Sequence, residues 1–212
     1  MYKTIKNSLF GAVLMPTILA STIRINPANI DIKLPSENNN PIQQFIGNLD
    51  NNKIDQAQAE REEKAAKIDA YYSKKNMKLA GHGMGMVVAS EKYGLDPYVM
   101  AAIATKETTG GNFACPVTAK RTGDIRYTFN VFGWGSCKIK FESYEDGFET
   151  IAKNLTGNNP NTAKHYSGKD TVSILESYNP RHVVSDYPEQ ILAIAKTIES
   201  TQVDNTKEIA MK

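Results

Sequence analysis

A carboxylate near the end of a helix that is apolar on almost every side constrains this chain more than any other feature. Asp96-Pro97 supplies an N-cap followed by proline at the first helical position, and the pattern predicts a helix from Pro97 to about Thr108. Val99, Met100, Ala101, Ala102, Ile103 and Ala104 leave that helix no polar face, so other elements must surround it. Thr108-Thr109-Gly110-Gly111 ends it. Glu107 therefore sits on the last turn, where the negative end of the helix dipole disfavours a charged carboxylate and burial disfavours it further. Both effects strengthen its hold on a proton, which is what a general acid needs near neutral pH. The bland alternative is a solvent-facing Glu107, or one paired with Lys106 or Arg121.

Such a helix needs partners, and the chain offers them on both sides. Lys53 to about Lys75 is rich in Ala, Glu, Lys and Gln, which are strong helix formers. Its apolar face appears only near its end, with Ile68, Tyr71 and Tyr72 at i, i+3 and i+4, so the domain proper is expected to begin around Glu63. A turn at Leu79-Ala80-Gly81-His82-Gly83 leads into a helix from Met84 to Tyr93, with Met84, Val87, Val88 and Glu91 on one face. Gly94 suits the left-handed position that follows a helix. Ser143 with Asp146 resembles a capping box, opening a helix whose Phe148, Ile151, Ala152 and Leu155 share a side. After Gly157-Asn158-Asn159-Pro160 two more helices are expected, near Thr171–Tyr178 and Pro188–Glu199. From Asn112 to about Phe141 the helical period stops. The expected fold is mainly α, with a small irregular or β lobe inserted after the central helix.

Composition and the chain ends narrow the setting. A 41% hydrophobic fraction supports a core, and a net charge of +2 is too mild for a nucleic-acid partner, which calls for a clustered basic face. Lys3 and Lys6 precede the apolar run Leu9–Ala20, the pattern of a secretory signal and shorter than a membrane-spanning helix of roughly 20 residues. Ile18 stands where a small residue is preferred before cleavage, so residues 1–22 are read as a signal peptide or an N-terminal membrane anchor. Residues 23–52, rich in Asn, Pro, Ser and Gln, read as a flexible linker, 53–200 as the domain, and 201–212 as a polar tail. In an exported chain Cys115 and Cys137 read as a disulfide, which would contribute roughly 3 kcal/mol by restricting the unfolded chain. No metal or cofactor is expected, because two isolated cysteines and the scattered His82, His165 and His182 make no ligand set.

The run Asn130-Val131-Phe132-Gly133-Trp134-Gly135 adds an amide, two large rings and two glycines beside that acid. Flat rings grip the C–H faces of sugars, amides reach hydroxyl and acetamido groups, and glycine lets backbone come close to a ligand. A hydrophobic plug under a loop, stapled by Cys137, accounts for the same residues equally well.

In order and spacing these pieces resemble a known superfamily. Ala101–Gly111, with Glu107 followed by Thr108, Thr109 and Gly110, resembles the catalytic-helix ending of the lysozyme-like superfamily. Asn130-Val131-Phe132-Gly133 is similar to its bacterial N-acetylglucosaminidase branch, the flagellar and autolysin type related to mannosyl-glycoprotein endo-β-N-acetylglucosaminidase. Phe141–Phe148 looks like that branch's lead into its next helix, and Tyr178-Asn179-Pro180 followed by Tyr187–Ile191 looks like its closing motif and last helix. The resemblance covers about residues 65–200. It implies a lysozyme-like helical domain in an exported enzyme that is secreted, wall-associated or anchored, and that hydrolyses β-1,4 linkages of peptidoglycan glycan strands. Glu107 would be the general acid and Tyr178 would lie near the anomeric centre. Asn130, Phe132, Trp134 and Tyr144 would line the groove.

One departure matters. Hydrolytic members place a second carboxylate where it can activate water. The candidates here are Asp124, Glu142 and Glu145, although Glu145 and Asp146 also suit the first turn of a helix and Asp124 a turn beside Gly123. Three other routes stay open. They are a single-acid lytic transglycosylase, substrate-assisted hydrolysis, and a wall-binding module without catalysis.

Overall fold

The structure, a computed structural model, describes residues 41–118 and 125–203. Its helices are α1 (Pro41–Lys74), α2 (Gly83–Tyr93), α3 (Pro97–Thr108), α4 (Tyr144–Leu155), α5 (Ala163–Tyr166), α6 (Thr171–Tyr178) and α7 (Tyr187–Glu199). Two three-residue strands, β1 (Pro116–Thr118) and β2 (Ile125–Tyr127), pair antiparallel between α3 and α4, with Val117 opposite Arg126. The chain divides into Met1–Gln44 and Phe45–Lys212, and apart from the first turn of α1 the features below lie in the second unit. The segment read as a signal or anchor (1–22), most of the linker (23–40), Asp124 and the end of the tail lie outside the described residues. Among the described residues no helix is long and apolar enough to cross a membrane.

The architecture is mainly helical and built around α3. Asp96 accepts the Tyr98 N–H at 2.8 Å, Pro97 fills the first turn, and every residue from Pro97 to Ala104 is buried. Helices α2 and α7 pack against α3, while α4 covers α2 and α6 lies against α5 and α7. The end of α1 docks through Tyr72, whose fully buried phenol donates to the Ala101 carbonyl at 2.9 Å. Gly94 ends α2 in the left-handed conformation, at φ 77°. Ser143 caps α4 by accepting the Asp146 N–H at 3.1 Å, and Phe148, Ile151, Ala152 and Leu155 are buried as their spacing predicts.

Two expectations need correction. Helix α1 begins at Pro41 rather than Lys53, so the last part of the segment read as a flexible linker is helical. A polar composition does not forbid helix: proline is pre-set for a first turn, and the strong helix formers after Lys53 carry the rest of the same helix. From Lys53 onward its first buried residue is Ala65, close to the expected start of the domain. The phase of α2 also differs. Val88 is 53% exposed and Glu91 reaches Arg61 and Lys64 on the surface, while Met86, Val87 and Ser90 face inward. Contacts with Tyr72 and Met100 set this rotation, since Met86 meets the Tyr72 hydroxyl and Ser90 donates to the Met100 sulfur.

Candidate active site

The last turn of α3 is tied to the loop that follows β2. Thr108 Oγ1 shares its one proton between the Val131 carbonyl at 2.8 Å and the Ala104 carbonyl at 3.0 Å, and it accepts the Gly111 N–H at 3.0 Å. Thr109 then turns left-handed at φ 52°, ending the helix one residue after Thr108. This fixes the base of Glu107.

The Glu107 carboxyl is half-buried and its two oxygens have different surroundings. Oε1 accepts a hydrogen bond from the Tyr187 hydroxyl at 2.6 Å. Oε2 lies towards Gly133, where a Cβ would stand only 3.4 Å away. Burial pushes the proton affinity of the carboxyl above its ordinary value of 4.5, against smaller opposing pulls from Tyr187 and Lys106. Some of the neutral acid therefore persists at a pH where an exposed glutamate would be almost wholly ionised.

A cavity of ≈ 310 Å³ opens beside this carboxyl. Its wall comes from Phe132, Gly133, Trp134, Gly135 and Ser136 on one loop and from Tyr178 and Asn179 at the end of α6. Aromatic rings form its backing. Trp134 stacks on Tyr178 with centroids 5.9 Å apart, and Tyr178 stacks on Tyr187 at 6.0 Å. The Tyr178 hydroxyl donates to the Phe132 carbonyl, joining the two walls. Burial, and after it the nearby Glu107 charge, push both phenols well above 10, so they stay protonated as donors.

The cavity thus brings together Glu107, Phe132, Trp134 and Tyr178 of the residues singled out from the sequence. Two others lie elsewhere. Asn130, expected on the groove wall, is fully buried and holds the loop together. Its Nδ2 donates to the Trp134 and Ile139 carbonyls, each at 2.9 Å, and its Oδ1 accepts the N–H groups of Phe132 and Trp134. An amide engaged in this way has nothing left for a ligand. Tyr144, also expected there, packs edge-on against His82 and Phe129 and is not part of the cavity wall. Phe132 borders the cavity, yet its ring is buried edge-on against Phe148. Cys115 and Cys137 are joined in a disulfide, next to Ser136 on the wall.

Among the described residues Glu107 is the only carboxylate lining the cavity. Glu145 meets His82 Nδ1 at 3.0 Å, and Asp146 accepts the Glu142 N–H at 3.1 Å, so both serve the start of α4. The described residues contain no group of three His, Cys, Asp or Glu side chains that could hold a metal ion. The partner that the sequence reading missed is Tyr187, placed there only within a last helix. No protein-family model matches this chain, and no curated protein matches it.

Proposed function

We propose that this protein is an exported glycosidase that cuts the β-1,4 linkages of peptidoglycan glycan strands, with Glu107 as general acid. The observation that carries this reading is the asymmetry of that carboxyl. One oxygen is occupied by a phenol, the other faces a cavity, and burial favours the protonated form. Oε2 is then the atom that delivers its proton to the glycosidic oxygen as the bond to the leaving sugar breaks. Trp134 and Tyr178, partly buried on the cavity wall, offer apolar ring surface to sugar C–H groups. The order of parts, a buried helix ending in an acid and then an irregular lobe containing β1 and β2, is in keeping with a lysozyme-like plan.

Hydrolysis also requires a group that activates water. The presence of a single carboxylate on the described cavity wall favours a second route, lytic transglycosylation, in which a hydroxyl of the sugar itself attacks and an anhydro product forms without water. Digestion of purified cell wall followed by mass spectrometry distinguishes the two. Reducing ends indicate hydrolysis and anhydro-muramyl ends indicate transglycosylation. Glu107→Gln should lower either activity about 10²–10⁴-fold while wall binding persists. Unchanged lysis in that variant, or no lysis by the wild type, overturns the proposal.

A further inference from the structure

The loop that forms one wall of the cavity continues as Ser136-Cys137-Lys138-Ile139-Lys140, and all of these residues are exposed. Neither lysine makes an ion pair with any described residue. Elsewhere on the surface Arg61, Lys67, Lys92 and Arg181 are each engaged by a glutamate, while Lys106, Lys153, Lys164 and Lys196 likewise have no ion-pair partner among the described residues. It is the place of Lys138 and Lys140 beside the cavity that sets them apart. The segment bearing the two free ammonium groups is nevertheless well anchored. The disulfide holds Cys137, the Lys138 N–H donates to the Gly135 carbonyl at 3.1 Å, and Asn130 holds the Ile139 carbonyl at 2.9 Å. The Ile139 side chain lies against Gly135 so closely that a Cβ there would stand 2.7 Å from it. Two cations are thus mounted on a braced backbone beside a cavity, and little loop ordering opposes the binding of an anion.

We propose that Lys138 and Lys140 form a ledge that recognises carboxylate substituents carried by the glycan strand occupying the cavity. This rests on the function proposed above and specifies its substrate. The preferred strand bears lactyl or peptide carboxylates, and a neutral polymer of N-acetylglucosamine lacks the groups the ledge reads. The ledge acts locally, because the chain's net charge of +2 supplies little long-range attraction and salt screens it within roughly 8 Å.

Trp134 is the only tryptophan in the chain and stands on the cavity wall, so its fluorescence reports occupancy directly. The experiment titrates the Glu107→Gln protein, which binds without cutting, with soluble wall glycan strands. These are used either native or with their carboxylates converted to amides by carbodiimide and ammonia. Native strands should bind more tightly, and raising salt to ~0.5 M should abolish the difference. Adding K138Q and K140Q should raise the Kd for native strands about 3- to 10-fold and leave the amidated strands unaffected, while K138R with K140R keeps the preference. Equal affinity for both strands, or equal weakening of both by the glutamine pair, overturns the ledge. A preference for native strands in a protein whose wild type cuts neither overturns the proposed function and leaves the ledge standing. Cutting without preference does the reverse, and an unresponsive Trp134 overturns both.

Discussion

Two half-buried carboxyls in this molecule face opposite ends of helices, and only Glu107 borders the cavity. Asp69 stands at the start of α2, where its Oδ1 accepts the N–H groups of Gly81 and Gly83, each at 2.8 Å. Glu107 stands at the end of α3 with one phenol for a partner. Burial raises the proton affinity of both. For Asp69, two backbone donors oppose that rise, and a helix N-terminus favours negative charge. For Glu107 the helix end disfavours charge, and its second oxygen borders a cavity. Burial alone therefore does not mark a working acid. What separates them is where the group stands: Asp69 faces a helix start whose two N–H groups hold it and brace the α1–α2 corner, whereas Glu107 stands at a helix end beside the cavity.

The contrast can be broken most directly by measuring lysis. Glu107→Gln should lose activity by the two to four orders of magnitude given above, whereas Asp69→Ala should keep its activity per folded molecule. A folded Asp69→Ala protein without lysis would erase the distinction. Stability should show the opposite pattern. Removing the Asp69 carboxylate leaves two N–H groups at a partly buried corner and should cost about 1–3 kcal/mol in urea unfolding. A third experiment concerns the phenol. Because the Tyr187 hydrogen bond holds the Glu107 proton affinity down, Tyr187→Phe should move the alkaline limb of the kcat/KM profile to higher pH. A limb that moves to lower pH would contradict that role.

The smallest effect is on thermal stability. A carboxyl whose folded proton affinity is raised supports the fold fully below its unfolded pKa, and that support is lost as pH rises through the folded value. Glu107→Gln has no charge to desolvate. It should melt above the wild type at pH 7–8, with the gap closing as pH falls towards the ordinary 4.5. A gap that widens on acidification would contradict the raised affinity.

Features written in neighbouring residues were legible from the sequence. Asp96-Pro97, Gly94 and Ser143 with Asp146 name the helix ends where the structure has them, because a cap is made within one turn. Glu107 was legible for the opposite reason, as a carboxylate that contradicts the apolar helix around it. What depends on distant partners was not. Tyr187 lies 80 residues from the carboxyl it touches, and no local pattern announces that meeting. Asn130 has the side chain a sugar site uses, yet four backbone groups of its own loop claim it, which only the closed loop reveals. The rotation of α2 depends on Tyr72 and Met100 meeting Met86 and Ser90, contacts that the apolar pattern of the helix alone does not contain.

Gly133 leaves the Glu107 carboxyl its opening. Its backbone is left-handed at φ 63°, a conformation that side-chain-bearing residues adopt reluctantly, and its missing side chain leaves Oε2 uncovered. Any larger residue would have to bend this turn or hang a lintel over the carboxyl, and the opening onto Oε2 would narrow with each added carbon. Changing this one position offers a graded way to throttle access to Glu107 while leaving the acid and its phenol in place.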